Sequence, residues 1–242
     1  MKTGAIVFWV ALWEIASLFI GEEILLPSPF SVLSRFLAII MEESFWGTVF
    51  FTLSRIILGF LLSTAAAVVA ASLSYKLKPV RILLDPLVKT VRAVPVASII
   101  ILVLVWVRSR NLSVVISFLM VFPIIYTNVL EGLRETDPLL LEMAETYHIK
   151  GFKRIRYIYL PAVVPYFTSA VSTALGLSWK SGIAAEVIGL PMGSIGEELY
   201  LSKVYLMMPD LFAWTVVIIL LAFVFEKVFL LLVKEGLRRA VR

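Results

Sequence analysis

From Phe45 to Tyr75 the chain runs apolar with a single charged side chain, Arg55, and similar runs recur at Ala93–Val107, Leu112–Leu130, Ala162 to about Ile188 and Leu211–Val233. Runs of this kind match the hydrocarbon thickness of a bilayer. Inside hydrocarbon every backbone N–H and C=O needs a partner within the protein, which leaves helices as the workable element. With Gly4–Ile20 counted first, the expected fold class is all-α, a polytopic membrane protein of about six transmembrane helices. Composition agrees, because only 16% of residues are charged against roughly 25% in a soluble domain. The length suits one domain, read as a first helix and an interfacial helix over 1–44 leading into a membrane domain over 45–242. There is no cysteine, which excludes disulfides and thiol chemistry.

Gly4–Ile20 is apolar apart from Glu14 and follows Lys2, as a signal peptide would. Gly21-Glu22-Glu23 stands where a small-x-small cleavage site would be, so a retained helix is expected. Leu26-Pro27-Ser28-Pro29 stops it. Phe30, Leu33, Phe36, Leu37 and Ile40 then share a face beside Ser34, Arg35 and Glu42, which predicts a helix lying at the interface. In the second span Ser63-Thr64-Ala65-Ala66-Ala67 permits close helix contact. Lys76, Lys78, Arg81, Lys89 and Arg92 read as a basic turn, and Pro95 is expected to kink or break the third span. Arg108–Asn111 reads as a tight turn and Pro123 interrupts the fourth span. Gly189, Pro191, Gly193 and Gly196 mark a polar passage before the last span.

Between the fourth and fifth spans lies the one long polar passage, EGLRETDPLLLEMAETYHIKGFKRIRYIYLP over 131–161. Asp137-Pro138 is a helix start, an N-cap carboxylate followed by proline in the first turn. Leu140, Met143, Ala144 and Tyr147 fall at i, i+3, i+4 and i+7 and form one apolar stripe, with Glu142 and Glu145 off it. Lys150, Lys153 and Arg154 are expected to share a basic face. A short amphipathic helix in such a place suits a groove on a partner protein, or else it lies on the inner leaflet.

Lysine and arginine placement sets the expected orientation. With the N-terminus inside, the inner segments carry Lys2, the Lys76–Arg92 group, Arg134, Lys150, Lys153, Arg154, Arg156, Lys234, Arg238, Arg239 and Arg242; the outer ones carry Arg35, Arg108, Arg110 and Lys203. Both termini and the polar loop are therefore expected in the cytoplasm. The net charge of +5 reads as membrane topology, not nucleic-acid binding, since no basic patch is interleaved with aromatics.

The polar passage resembles the EAA loop of ABC-transporter permeases, whose pattern is E-A-A, three residues, G, nine residues, I-x-L-P. Glu142-Met143-Ala144 stands for the EAA, Ile158-Tyr159-Leu160-Pro161 falls at the expected distance, His148 occupies the glycine position, and a glycine follows at Gly151. Leu26-Pro27-Ser28-Pro29, Leu53-Ser54-Arg55 with Gly59-Phe60, Asp85-Pro86, Val94-Pro95, Phe122-Pro123, Ala174-Leu175-Gly176 with Trp179, and Ala185-Glu186 extend the likeness in order from about Leu26 to the C-terminus. They are similar to the nitrate/sulfonate/taurine branch of importer permeases, which also serves thiamine-precursor and riboflavin-like ligands. One departure is Trp106-Val107-Arg108, where many members have Trp-Phe-Gly. The resemblance implies an inner-membrane permease subunit with a cytoplasmic coupling helix. Its implied partners are ABC ATPase subunits that hold ATP and Mg, a second permease chain (a homodimer favoured) and an extracytoplasmic solute-binding protein. The coupling residues it implies are Leu140, Glu142, Met143, Ala144, Tyr147, His148, Lys150, Gly151, Ile158, Leu160 and Pro161.

Candidates for the translocation path are Arg55, Pro95, Pro123, Asn128, Lys180 and Glu186. Charges within spans are costly unless compensated. Arg55 or Lys180 facing the path would attract an anion; the alternatives are an inter-helix ion pair such as Arg55 with Glu186, or a lysine that snorkels. The prolines line a cavity or simply curve their helices. His148, the one histidine, reads as a surface or interface contact, and no metal site is expected. There is no G-x-x-x-x-G-K-[ST] loop, so ATP hydrolysis and any cofactor are expected on a separate subunit. A dimeric ion-coupled secondary transporter is the alternative class; Glu14 and Glu186 would be its coupling carboxylates.

Overall fold

The computed structural model describes residues 2–241, with side chains described for 4–233 and Glu235. Lys2, Lys234, Arg238, Arg239 and Arg242, counted above among the inner basic residues, have side chains outside that set. All regular structure among the described residues is helical. The elements are α1 (Lys2–Ile20), α2 (Pro29–Ile40), α3 (Phe45–Lys76), α4 (Lys78–Ala93), α5 (Val96–Leu104), α6 (Ser109–Arg134), α7 (Pro138–Thr146), α8 (Phe152–Arg154), a π-helical turn (Ile155–Tyr159), α9 (Leu160–Gly189), α10 (Ile195–Val204) and α11 (Met208–Val241).

Four of these are long and apolar enough to cross a membrane: Phe45–Lys76, Ser109–Arg134, Phe152–Gly189 (α8, the π turn and α9) and Met208–Val233. The pair α4 and α5, bent by 107° at its break, brings the number to five at most. Gly4–Ile20 is apolar but shorter.

The third span differs most from expectation. The supposed basic turn is the 16-residue helix α4, and the supposed span is the nine-residue helix α5. Pro95 causes this. It has no N–H to give to a helix, and it drives Val94 into extended backbone (φ −82°, ψ 135°). Nine residues of helix reach only about 14 Å, roughly half the hydrocarbon thickness. Pro123 acts differently: α6 runs through it unbroken.

α6 sits at the centre between α3 and α9. Phe60, Val121, Ile125, Tyr126, Ala174 and Leu175 form one buried cluster, and Ile56, Trp179, Ile183, Ile195 and Trp214 another. The small-residue run of α3 behaves as expected, since Ser63 and Ala67 are fully buried and Ser63 Oγ donates to the Phe118 carbonyl at 2.8 Å. Gly59 allows a close approach of α3 to α6: a Cβ there would lie 2.4 Å from the Val114 carbonyl oxygen. Burying apolar area does not favour helix pairing in lipid, so such close backbone packing and the Ser63 hydrogen bond hold the trio together.

α2 begins as its sequence requires, with Ser28 Oγ accepting from Ser31 N at 3.1 Å. Its inward face is not the expected one. Val32 and Ile39 are buried, with Phe36 and Ile40 packed partly beside them, whereas Phe30, Leu33 and Leu37 are exposed. The helix is apolar on two sides: one packs on α11 and the other is free for lipid. Arg35 ties it down, reaching Asp210 at 2.7 Å and Glu42 at 3.1 Å.

Candidate functional site

The loop 131–161 folds as a capped, self-contained plug. Asp137 accepts from Leu139 N at 2.9 Å and Pro138 occupies the first turn, so α7 starts where its sequence says. It ends in a Schellman arrangement: Ile149 N donates to the Ala144 carbonyl at 2.7 Å and His148 N to the Glu145 carbonyl at 3.1 Å. That arrangement requires left-handed backbone at the residue after the cap, and His148 supplies it with φ +53°. The position where the motif has glycine is thus left-handed here, a conformation glycine adopts without strain. Gly151 adopts φ 60°, ψ −133°, a region open essentially to glycine alone. Two turns within four residues fold the chain back toward the membrane.

The apolar stripe divides. Ala144 is fully buried, while Leu140, Met143 and Tyr147 are 43%, 42% and 73% exposed. Ala144 therefore seats α7 on its own chain, and the other three form an outward apolar face flanked by exposed Glu142. The expected basic face also parts. Lys150 and Lys153 are exposed, but Arg154 turns inward with Nη1 3.6 Å from Glu145 Oε1. Ile158 is buried in the π turn, Leu160 is half-buried and Pro161 is exposed where α9 begins.

The six candidates for the path do not converge on one place. Pro123 and Asn128 line a cavity of about 420 Å³, together with Val94 and Val96 on either side of Pro95. Arg92, Thr127, Ser169 and Thr173 complete its polar wall, and no carboxylate is among its lining residues. Asn128 Nδ2 donates to the Ile124 carbonyl at 2.8 Å and keeps a second amide N–H. Lys180 is exposed and lines a separate hollow between α9 and α11, near Trp179 and Glu226.

Arg55 and Glu186 do not pair. The Arg55 guanidinium lies over the Phe51 ring, 3.6 Å from its centroid, and Nε donates to the Arg110 carbonyl at 2.6 Å. Glu186 is fully buried and holds α10. Thr52 Oγ1 donates to Glu186 Oε2 at 2.7 Å, Gly196 N reaches the same oxygen at 3.4 Å, and Ile195 N donates to Thr52 Oγ1 at 3.0 Å. A Cβ on Gly196 would stand 2.3 Å from Glu186 Cβ, so glycine is what lets α10 dock. In place of the ion pair, Glu186 takes the Thr52 hydroxyl and the Gly196 amide at the N-terminus of α10.

Several residues escaped the sequence reading. α10 was part of the polar passage, yet Ser194-Ile195-Gly196-Glu197 is a capping pattern: Ser194 Oγ accepts from Glu197 N at 3.0 Å and Glu197 Oε2 from Gly193 N at 2.6 Å. Ser169, Thr173, Gly176 and Lys180 fall at helical spacing on the exposed side of α9. A polar and small stripe within an apolar helix was the available signal. Nothing in the spacing announced Thr52 as the partner of Glu186.

Comparison with known proteins adds the family. Residues 59–242 match the model of the binding-protein-dependent transport system inner membrane component. The chain is 27% identical over 187 residues to a putative aliphatic sulfonates transport permease protein, SsuC, of Bacillus subtilis, covering 76% of this chain and 67% of that one. It is 24% identical over 221 residues to the taurine transport system permease protein TauC of Escherichia coli, covering 88% and 80%. A putative ABC transporter permease of Methanocaldococcus jannaschii is 27% identical, with 77% and 71% covered.

Proposed function

This chain belongs to the inner membrane components of binding-protein-dependent transport systems, and from that premise we propose that it is the permease through which a separate ATPase drives import of a small organic anion. The observation that carries the reading is the state of α7: a capped helix that buries Ala144 against its own chain and leaves Leu140, Met143 and Tyr147 exposed. An apolar face outside the membrane needs a cover, and a cleft on an ATPase is the cover the family provides. The chain leads from this loop into α9, a 30-residue helix whose far end carries Glu186 and the seat of α10. A push on α7 is therefore delivered to both ends of one rod. ATP and Mg are held by the partner. Two permease chains, preferably identical, enclose the path, and a binding protein delivers cargo to the α10 side.

The charge asymmetry supports cytoplasmic termini and a cytoplasmic α7. For cargo, the cavity at the α4–α5 break offers Arg92, the Asn128 amide and the Ser169 hydroxyl as donors with no carboxylate, which suits a sulfonate-type anion. The names of the SsuC and TauC relatives point the same way. The test is uptake of labelled taurine and methanesulfonate into vesicles holding the complete transporter with its binding protein. Vanadate-sensitive, ATP-dependent uptake is expected. Uptake abolished by a protonophore alone, with ATP irrelevant, overturns the assignment.

A further inference from the structure

Behind the coupling loop lies a second cavity, of about 380 Å³, that the transport reading does not use. Its walls come from the end of α3 (Ser72, Tyr75, Lys76) and from the return segment of the loop (Arg154, Ile155, Tyr159). Both cationic lining residues lack a strong partner. Lys76 has no ion pair within 4 Å among the described residues, and the one carboxylate near Arg154, Glu145, is 3.6 Å away and 71% exposed. Arg154 Nε is buried with no hydrogen-bond partner, which is costly for a charged donor unless something fills the site. Tyr75 and Tyr159 meet edge to face at 5.7 Å, and the Arg154 guanidinium stands 5.8 Å from the Tyr159 ring. The backbone here is irregular too: Tyr159 closes the π-helical turn, a form frequent at functional sites.

A planar cation with a vacant donor, an unpaired ammonium and nearby hydroxyls describe one ligand chemistry, a tetrahedral oxyanion. We propose that this cavity binds a single phosphate- or sulfonate-type oxyanion at the base of the coupling loop. The place, where α3 ends and the loop re-enters the apolar layer, favours a phospholipid headgroup, whose glycerol end would meet Ile155; a free oxyanion is the other source. Bound there, the anion joins α3 to the segment between α7 and α9, so its occupancy stiffens the loop. Binding to this cavity depends on neither the ATPase nor the orientation of the chain.

The full-length chain in detergent is incubated with phosphatidylglycerol or phosphatidylcholine, and retained lipid is counted by native mass spectrometry. In parallel, inorganic phosphate and methanesulfonate are titrated against its melting temperature. Preferential retention of phosphatidylglycerol, reduced about ten-fold in Arg154→Gln/Lys76→Gln and by less in Arg154→Lys, which keeps the charge and loses the planar donor, is expected. A melting shift with the free anions and no lipid preference, lost in the same double variant, also supports the site and names the other source. Ser72→Trp, which fills the cavity without altering charge, is expected to abolish whichever binding is seen. Equal retention of both lipids with no anion-dependent melting shift in the unaltered chain overturns the proposal, as does binding that survives both the double variant and Ser72→Trp.

Discussion

His148 holds left-handed backbone at the position where the motif has glycine. A non-glycine residue in the left-handed region costs about 1–2 kcal/mol, so His148→Gly is expected to raise the melting temperature and His148→Val to lower it, read by thermal denaturation in detergent. If both variants melt alike, the turn is not strained. Glu186 is the second such residue. Glu186→Gln keeps an acceptor for Thr52 and the α10 amides, whereas Glu186→Leu orphans them at about 1–3 kcal/mol. The leucine variant is expected to loosen α10 in hydrogen exchange and the glutamine variant to leave it protected. Glu198, on α10, is a third. Burial, and then Glu197, Glu42 and Asp210, raise its pKa above the ordinary carboxylate value. A carboxyl whose folded pKa exceeds its unfolded one takes up protons on folding, so its contribution is present below the unfolded pKa and is lost as pH rises through the folded one. Stability is expected to fall over that window, and Glu198→Gln to flatten the fall. An unchanged pH profile in the variant would show that Glu198 has no part in it.

Among the elements, the helices with simple periodicity and ordinary caps were legible in the sequence. Asp137-Pro138 marked the start of α7 to the residue, and the apolar spans α3, α6, α9 and α11 came from length and composition alone. The failures have physical causes. α4 looked like a turn because its charges were read without the apolar residues between them, although Val88 is buried and Arg81 and Asp85 pair at 3.5 Å along one turn. The stripe on α7 was visible as a pattern, but a single helix cannot say which of its apolar residues its own chain will cover. Ala144 fits beneath because it is small, and the larger residues stay outside. Tyr147→Asp is thus expected to leave melting unchanged and abolish ATPase stimulation in the complete transporter, while Ala144→Asp lowers the melting temperature by itself. Identical melting in the two variants would contradict the division of the stripe.

For the whole molecule, Ser169 and Thr173 on α9 border the cavity at the α4–α5 break while Lys180 borders a separate hollow, and an exposed lysine within an apolar span calls for water or a partner to compensate it. The path candidates from the sequence proved scattered because a charge in an apolar run shows that compensation is needed, not where it comes from: Arg55 found Phe51 and a carbonyl, and Glu186 found α10. The chain has no cysteine, so single-cysteine probes read cleanly. A membrane-impermeant maleimide is expected to label Thr173→Cys in the assembled transporter and to spare Val224→Cys, which is exposed on α11 away from the α9–α11 hollow. Equal labelling would place both on one surface and remove α9 from the path.

The contact between α7 and a nucleotide-hydrolysing partner is tested most directly by a photo-crosslinker carried at Tyr147 in native membranes, with the adduct identified by peptide sequencing. The adduct is expected on a protein that carries a G-x-x-x-x-G-K-[ST] loop, and to change in yield when ATP is bound. Adducts only with lipid or with the chain itself, whatever the nucleotide, would contradict the coupling role of α7.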